Sequence, residues 1–155
     1  MLQPNERERI RTAIERYAGD ARAASVESLK IVQSQRGWIS DEVLDSLADE
    51  LGLSAVELES IATFYNLIFR YPVGRHVILL CDSVSCWLRG GEQLCVTLRE
   101  RLGIDLGQTT ADGRFTLLPT VCLGACDHAP VMQVDDDLHG CLDPRRLTEP
   151  LERYR

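Results

Sequence analysis

From the N-terminus to Arg70, apolar residues recur at every third or fourth position, the spacing of amphipathic helices. Ile10, Ala13, Ile14 and Tyr17 fall on one face of a first helix. Val26, Leu29 and Val32 or Gln33 mark a second, with Gly37 as its stop. Ser40 can cap a third carrying Val43, Leu44, Leu47 and Leu51, ended by Gly52. The stretch SAVE, Ser54 to Glu57, reads as a capping box ahead of a fourth helix with Leu58, Ile61 and Tyr65. RYPVGR, residues 70–75, is a turn and the expected boundary.

Beyond it the pattern changes. HVILL is a strand, Glu92 to Leu102 a helix ended by Gly103, and RFTLLP a second strand. VMQVD and LHGCL, on either side of the acidic turn Asp135 to Asp137, predict a β-hairpin. Pro144 suits the first turn of a closing helix running to about Tyr154. The fold class expected is α+β: an N-terminal helical segment (1–71) followed by a thioredoxin-like β-α-β-β-α domain (72–155).

Composition narrows the function. With 45% hydrophobic and 26% charged residues the chain reads as soluble and globular. No apolar run approaches the roughly 18 residues of a membrane span, so no membrane insertion is expected. MLQPNERERIRTAIERY is charged from its fifth residue, unlike a secretory leader, and the chain is read as a cytoplasmic protein of bacterial type. A net charge of -7 argues against nucleic acid as a partner, because phosphate recognition needs a basic face. Six cysteines without an export signal point to metal or redox chemistry rather than a disulfide framework.

Four of the six share one kind of location. CDSVSC begins where HVILL ends, and CLGAC follows RFTLLP, so each pair occupies the loop behind a predicted strand. If the strands are parallel neighbours, both loops emerge at one sheet edge and Cys81, Cys86, Cys122 and Cys126 surround one small volume. Ser83, Ser85, Gly124 and Ala125 are small enough for backbone N–H groups to approach sulfur, and the helix starting near Gly90 turns a positive end toward Cys86. An iron–sulfur centre accounts best for the quartet. Structural zinc is the main competitor, although its ligand pairs usually include a two-residue gap and here the gaps are four and three. A thiol–disulfide site at CLGAC is the third reading, and would normally show a two-residue gap at a helix start. All-thiolate ligation beside Asp82 and Asp127 predicts a low reduction potential, toward about -400 mV.

The remaining chemistry-bearing residues have plainer readings. Cys95 lies mid-helix and Cys141 inside a predicted strand, so both are read as core thiols. Trp87 is read as a shield on one side of the site, His128 as a surface residue near it. Trp38, Phe64, Tyr65 and Phe69 are read as core or partner contacts. No dinucleotide fingerprint, phosphate-binding glycine loop or nucleophile–base pair occurs, so the chain shows no substrate site of its own.

CDSVSC and CLGAC, preceded by IATFYNLIF and PVGRHV and joined by QTTADGRFTLLPTVCLGACDHAPVM, strongly resemble the thioredoxin-like [2Fe-2S] subunit family of bacterial NADH-quinone oxidoreductase (respiratory complex I). The resemblance runs from about Arg22 to Tyr154. It implies one [2Fe-2S] cluster on Cys81, Cys86, Cys122 and Cys126, with no catalytic residue in this chain. It implies electron transfer from the FMN of an NADH-binding flavoprotein partner that also carries a [4Fe-4S] cluster, with the large iron–sulfur subunit as a further partner. The place implied is peripheral, on the cytoplasmic side of the inner membrane. Relatives of the same type serve soluble NAD-reducing hydrogenases and NAD-dependent formate dehydrogenases, which is the alternative setting.

Overall fold

The computed structural model describes residues 1–154, apart from the side chains of residues 148 and 149, and the chain divides into two compact units, Met1–Pro72 and Val73–Arg155. The first is built of four helices: α1 Pro4–Arg16, α2 Ser25–Arg36, α3 Asp41–Leu51 and α4 Ala55–Phe64. Their apolar stripes meet in one core around Ile10, Leu29, Val32, Ile39, Leu47 and Leu58, each fully buried. Removing side chains of this size from water contributes about 1.5–3 kcal/mol apiece before conformational entropy is counted. Ser54 caps α4, its hydroxyl accepting the Glu57 N–H at 3.2 Å, which is one half of the expected capping box; the reciprocal box forms instead at Gln3 and Glu6 of α1.

Two arginines supply polar fixings that apolar periodicity does not reveal. The carboxylate of Glu6, fully buried, accepts both Nε and Nη2 of Arg36 at 2.7 Å and the Gln3 N–H at 2.6 Å. A buried carboxylate needs such a forked partner to offset the loss of hydration. Arg70, whose side chain is largely buried, joins the start of α3 to α4: it donates to Asp41 at 2.6 Å, to Glu59 at 2.7 Å, and to the Ile39 carbonyl. The predicted apolar stripes end short of their last aromatics. Tyr17 and Tyr65 stand one residue past the ends of α1 and α4 and are 42% and 44% exposed, while Phe64 is 81% exposed, so these rings are not core.

The second unit is a four-stranded sheet in the order β2-β1-β3-β4, with β1 His76–Cys81, β2 Phe115–Thr120, β3 Met132–Val134 and β4 Asp137–His139. β1 and β2 run parallel, the other two pairings antiparallel. The crossover from β1 to β2 holds two helices, α5 Val84–Leu88 and α6 Gly91–Leu102. Leu94 and Leu98 of α6 pack with Ile78, Leu117, Met132 and Val134 in the main core. The β3–β4 turn is held by Asp135, whose φ is +53: its carboxylate accepts the Val77 N–H at 2.9 Å and faces His76 Nδ1 at 2.7 Å.

Two expectations are corrected at the C-terminal end. The closing helix is not continuous: Pro144–Arg146 is a 3₁₀ turn and α7 covers only Thr148–Leu151. Pro150 explains the break, since its ring removes a donor and crowds the carbonyl four residues earlier. LHGCL is not a strand throughout either. Pairing stops at His139: the Cys141 N–H donates to the His128 carbonyl, Gly140 packs so closely on His128 that a Cβ there would lie 2.6 Å from its Cβ, and the chain turns through Cys141 at φ +51. Arg114 ties this end back to the sheet by donating to the carbonyls of Leu151 and Tyr154. The peptide bond between Ala129 and Pro130 is cis.

Candidate metal centre

Register in the parallel pair brings the two cysteine segments to one sheet edge. Cys81, the last residue of β1, stands opposite Thr120, the last of β2, and the Asp82 N–H donates to the Thr120 carbonyl at 3.0 Å. Cys122 follows two residues later. Cys86 is carried by a short helix, not by the loop expected: Ser83 stands at the N-terminal cap of α5 in extended conformation, and the turn that follows swings Cys86 back toward Cys81. Gly91, at the start of α6, admits this close packing, since a Cβ there would come within 2.8 Å of the Cys86 carbonyl oxygen. Cys126 opens a 3₁₀ turn, Cys126–His128, reached through Gly124 at φ +82. A conformation this far into the left-handed region suits glycine alone among common residues.

The four sulfurs stand as two pairs. Cys122 and Cys126 lie 3.3 Å apart, sulfur to sulfur, and both residues are exposed. Cys81 and Cys86 hydrogen-bond each other and are buried, within a small apolar group that includes Ala129 and Val131, with Leu123 and Ala125 against it. The pairs also interlock. The Leu123 N–H, from the segment between Cys122 and Cys126, donates to Cys81, and the Ser85 hydroxyl, from the segment between Cys81 and Cys86, donates to Cys126.

Backbone amides converge on sulfur throughout. The Gly124 N–H donates to Cys122 Sγ at 3.3 Å, the Ser83 N–H to Cys81, and the Val131 N–H to Cys86. Burial pushes the Cys81 thiol up, but the donors Ser83, Cys86 and Leu123 outweigh it and hold the thiol below its ordinary value. Cys86 is pushed up by burial and by its bond to Cys81, with the Val131 amide pulling the other way. Its bond with Cys122 pushes Cys126 up, against the Ser85 hydroxyl. Amide donors aimed at sulfur are what a thiolate set requires once water is excluded.

Four cysteine thiols with amide donors around them are a donor set for iron. A [2Fe-2S] cluster takes four cysteines, two to each iron, and so fits sulfurs arranged as two linked pairs.

The other singled-out residues are placed as follows. Cys95 is half-buried on α6 and lines a cavity of about 200 Å³ with Cys81 and Trp87. Cys141 is exposed, which corrects its reading as a core thiol, because the strand ends before it. Trp87 touches the same cavity but is 59% exposed, so it is at most a partial screen. His128 is exposed and pairs with Asp127 at 2.9 Å, which lowers the pKa of the Asp127 carboxyl. Val131 went unnoticed in the sequence, where a backbone donor leaves no signature in residue type.

A family model described as thioredoxin-like [2Fe-2S] ferredoxin matches residues 10–155. The chain belongs to this family. Among curated relatives, a subunit of the NADH-quinone oxidoreductase of Escherichia coli (strain K12) is 53% identical over 99% of this chain and 92% of that protein. Its counterpart in Pseudomonas aeruginosa is 50% identical over the same shares. Among solved structures, an NAD⁺-reducing [NiFe]-hydrogenase in the H₂-reduced state superposes with a TM-score of 0.69 and 28% identity. That match covers 81% of this chain and 22% of the hydrogenase chain, so the likeness concerns one part of a much longer polypeptide. No described helix is long and apolar enough to cross a membrane.

Proposed function

We propose that the chain is the thioredoxin-like [2Fe-2S] subunit of a bacterial NADH-quinone oxidoreductase, a one-electron carrier with Cys81, Cys86, Cys122 and Cys126 as the ligands of one cluster. The interlocked sulfur pairs at the end of β1 and β2 are the observation that carries this reading. Identity of 53% over almost the whole chain favours the quinone oxidoreductase over the hydrogenase setting. A cluster bound here would supply reversible one-electron chemistry.

The protein's own groups hold and tune that centre. The amides of Ser83, Leu123, Gly124 and Val131 stabilise negative charge on sulfur, while exposed Asp82 and Asp127 add negative charge nearby. The two cysteine-bearing segments also expose Val84, Trp87, Leu88 and Val121 at 67%, 59%, 69% and 72%. Such an apolar rim beside a redox centre supports docking of an electron donor there. The donor proposed is the flavoprotein that binds NADH and FMN, with the large iron–sulfur subunit as the other neighbour and the cytoplasmic face of the inner membrane as the place. Anaerobic purification is expected to give a coloured chain whose dithionite-reduced form shows the paramagnetic signal of a [2Fe-2S] centre. A colourless chain holding one zinc per molecule would reject the reading. Recovery of a tagged chain with an FMN-containing partner, rather than with hydrogenase subunits, decides between the two settings.

A further inference from the structure

Of the two sulfur pairs, only one is open to solvent reagents. Cys81 and Cys86 are 3% and 1% exposed, whereas Cys122 and Cys126 are both exposed. The exposed pair is separated by three residues, Leu123, Gly124 and Ala125, and Gly124 already bends the backbone at φ +82. Its sulfurs stand 3.3 Å apart, so a bond of about 2.05 Å needs only a further approach of about 1.3 Å. Proximity that lets two cysteines share an iron also lets them join each other when iron is absent.

We propose that in the cluster-free chain Cys122 and Cys126 form a reversible disulfide by exchange with a small organic disulfide, closing the site to cluster loading until a thiol reopens it. The inference rests on the reading of Cys122 and Cys126 as ligands. In the exchange one cysteine thiolate attacks the small disulfide and expels one thiolate, leaving a mixed disulfide. The second cysteine thiolate attacks the protein-side sulfur and expels the other. The two protons leave with the expelled thiolates, so two protein thiols are oxidised as one small disulfide is reduced to two thiols. Intramolecular closure competes well with a second external thiol because the partner sulfur is held beside the first. The bond occupies half of the ligand set while the buried pair stays reduced, so one reductive step restores all four thiols.

The test uses the full-length chain, stripped of metal by a chelator in reducing buffer, freed of reductant and incubated with oxidised glutathione. Peptide mapping after denaturation and alkylation should find Cys122 and Cys126 joined in a single peptide and Cys81 and Cys86 as free thiols, whatever glutathione takes up at exposed Cys141. Transfer of a preassembled [2Fe-2S] cluster from a scaffold protein, without free thiol in the buffer, should be lost and should return after treatment with a dithiol. Glutathione adducts in place of the link, a bridge between Cys81 and Cys86, or undiminished transfer to the linked chain would each overturn the proposal. Cys122→Ser under fully reducing conditions tests the ligand reading separately. Normal loading of that variant removes the premise and the proposal with it. If the variant fails to load and Cys122 and Cys126 stay unlinked in the oxidised native chain, the ligand reading stands and the disulfide alone is wrong.

Discussion

Cysteine is the residue on which the chemistry turns, and burial and partners separate its six copies. Serine at Cys81, Cys86, Cys122 or Cys126 is expected to abolish or strongly destabilise the visible absorbance of the cluster. Serine at half-buried Cys95 or exposed Cys141 should leave the spectrum unchanged. A spectrum lost in either of those two variants would mean that the ligand set has been drawn wrongly. Gly91 makes a second prediction at this scale. An added methyl would press on the Cys86 carbonyl at 2.8 Å, and that atom is backbone, which cannot swing aside. Gly91→Ala should destabilise the fold by about 1–3 kcal/mol, the usual range for overpacking, and lower cluster occupancy with it. Denaturant unfolding measures the first effect and iron content the second; native values for both would show that α5 and α6 yield freely.

Among the elements, the junction of α1 with α2 has its own pH dependence. The Arg36 guanidinium, more than any other group, holds the Glu6 carboxyl below its ordinary value, against the opposing effect of burial. A carboxyl whose pKa is depressed on folding stabilises the native state above its unfolded pKa, and that stability is lost as pH falls through the folded value. Stability of the helical unit should therefore decline in acid, below pH values near the ordinary 4.5. Glu6→Gln should lower stability at neutral pH by about 3 kcal/mol, the low end for breaking a buried ion pair, since Arg36 keeps some contact with water. It should also flatten the acid limb. An unaltered acid limb in the variant would place that sensitivity on other carboxylates.

For the whole molecule, the division at Pro72 and Val73 separates the labour of the chain. All four paired cysteines and every amide that donates to them lie in the second unit, which has its own apolar core. A fragment beginning at Val73 is accordingly expected to fold, unfold cooperatively and take up a [2Fe-2S] cluster with the spectrum of the full chain. A fragment that remains unfolded by circular dichroism would make the helical unit a requirement for the site. The helical unit exposes Phe64 and Tyr71 at 81% each.

Local pattern was enough for much of this. Helix positions α1 to α4 and α6 and strands β1 and β2 follow from apolar period and from caps such as Ser54, and the pairing of Cys81 with Cys86 and of Cys122 with Cys126 from cysteines placed behind two strands. Such signals are local: they report which face of one element is buried. Pro150, Gly140 and the turn at Cys141 lay in plain view, yet their effect depends on what packs beside them. Tertiary structure alone decided that the Val131 amide meets Cys86, that Arg36 reaches Glu6 across 30 positions, and that one sulfur pair is buried while the other faces solvent. Every residue but proline carries an amide donor, so sequence cannot mark the few that point at sulfur, and burial is a property of the assembled neighbours rather than of the residue itself.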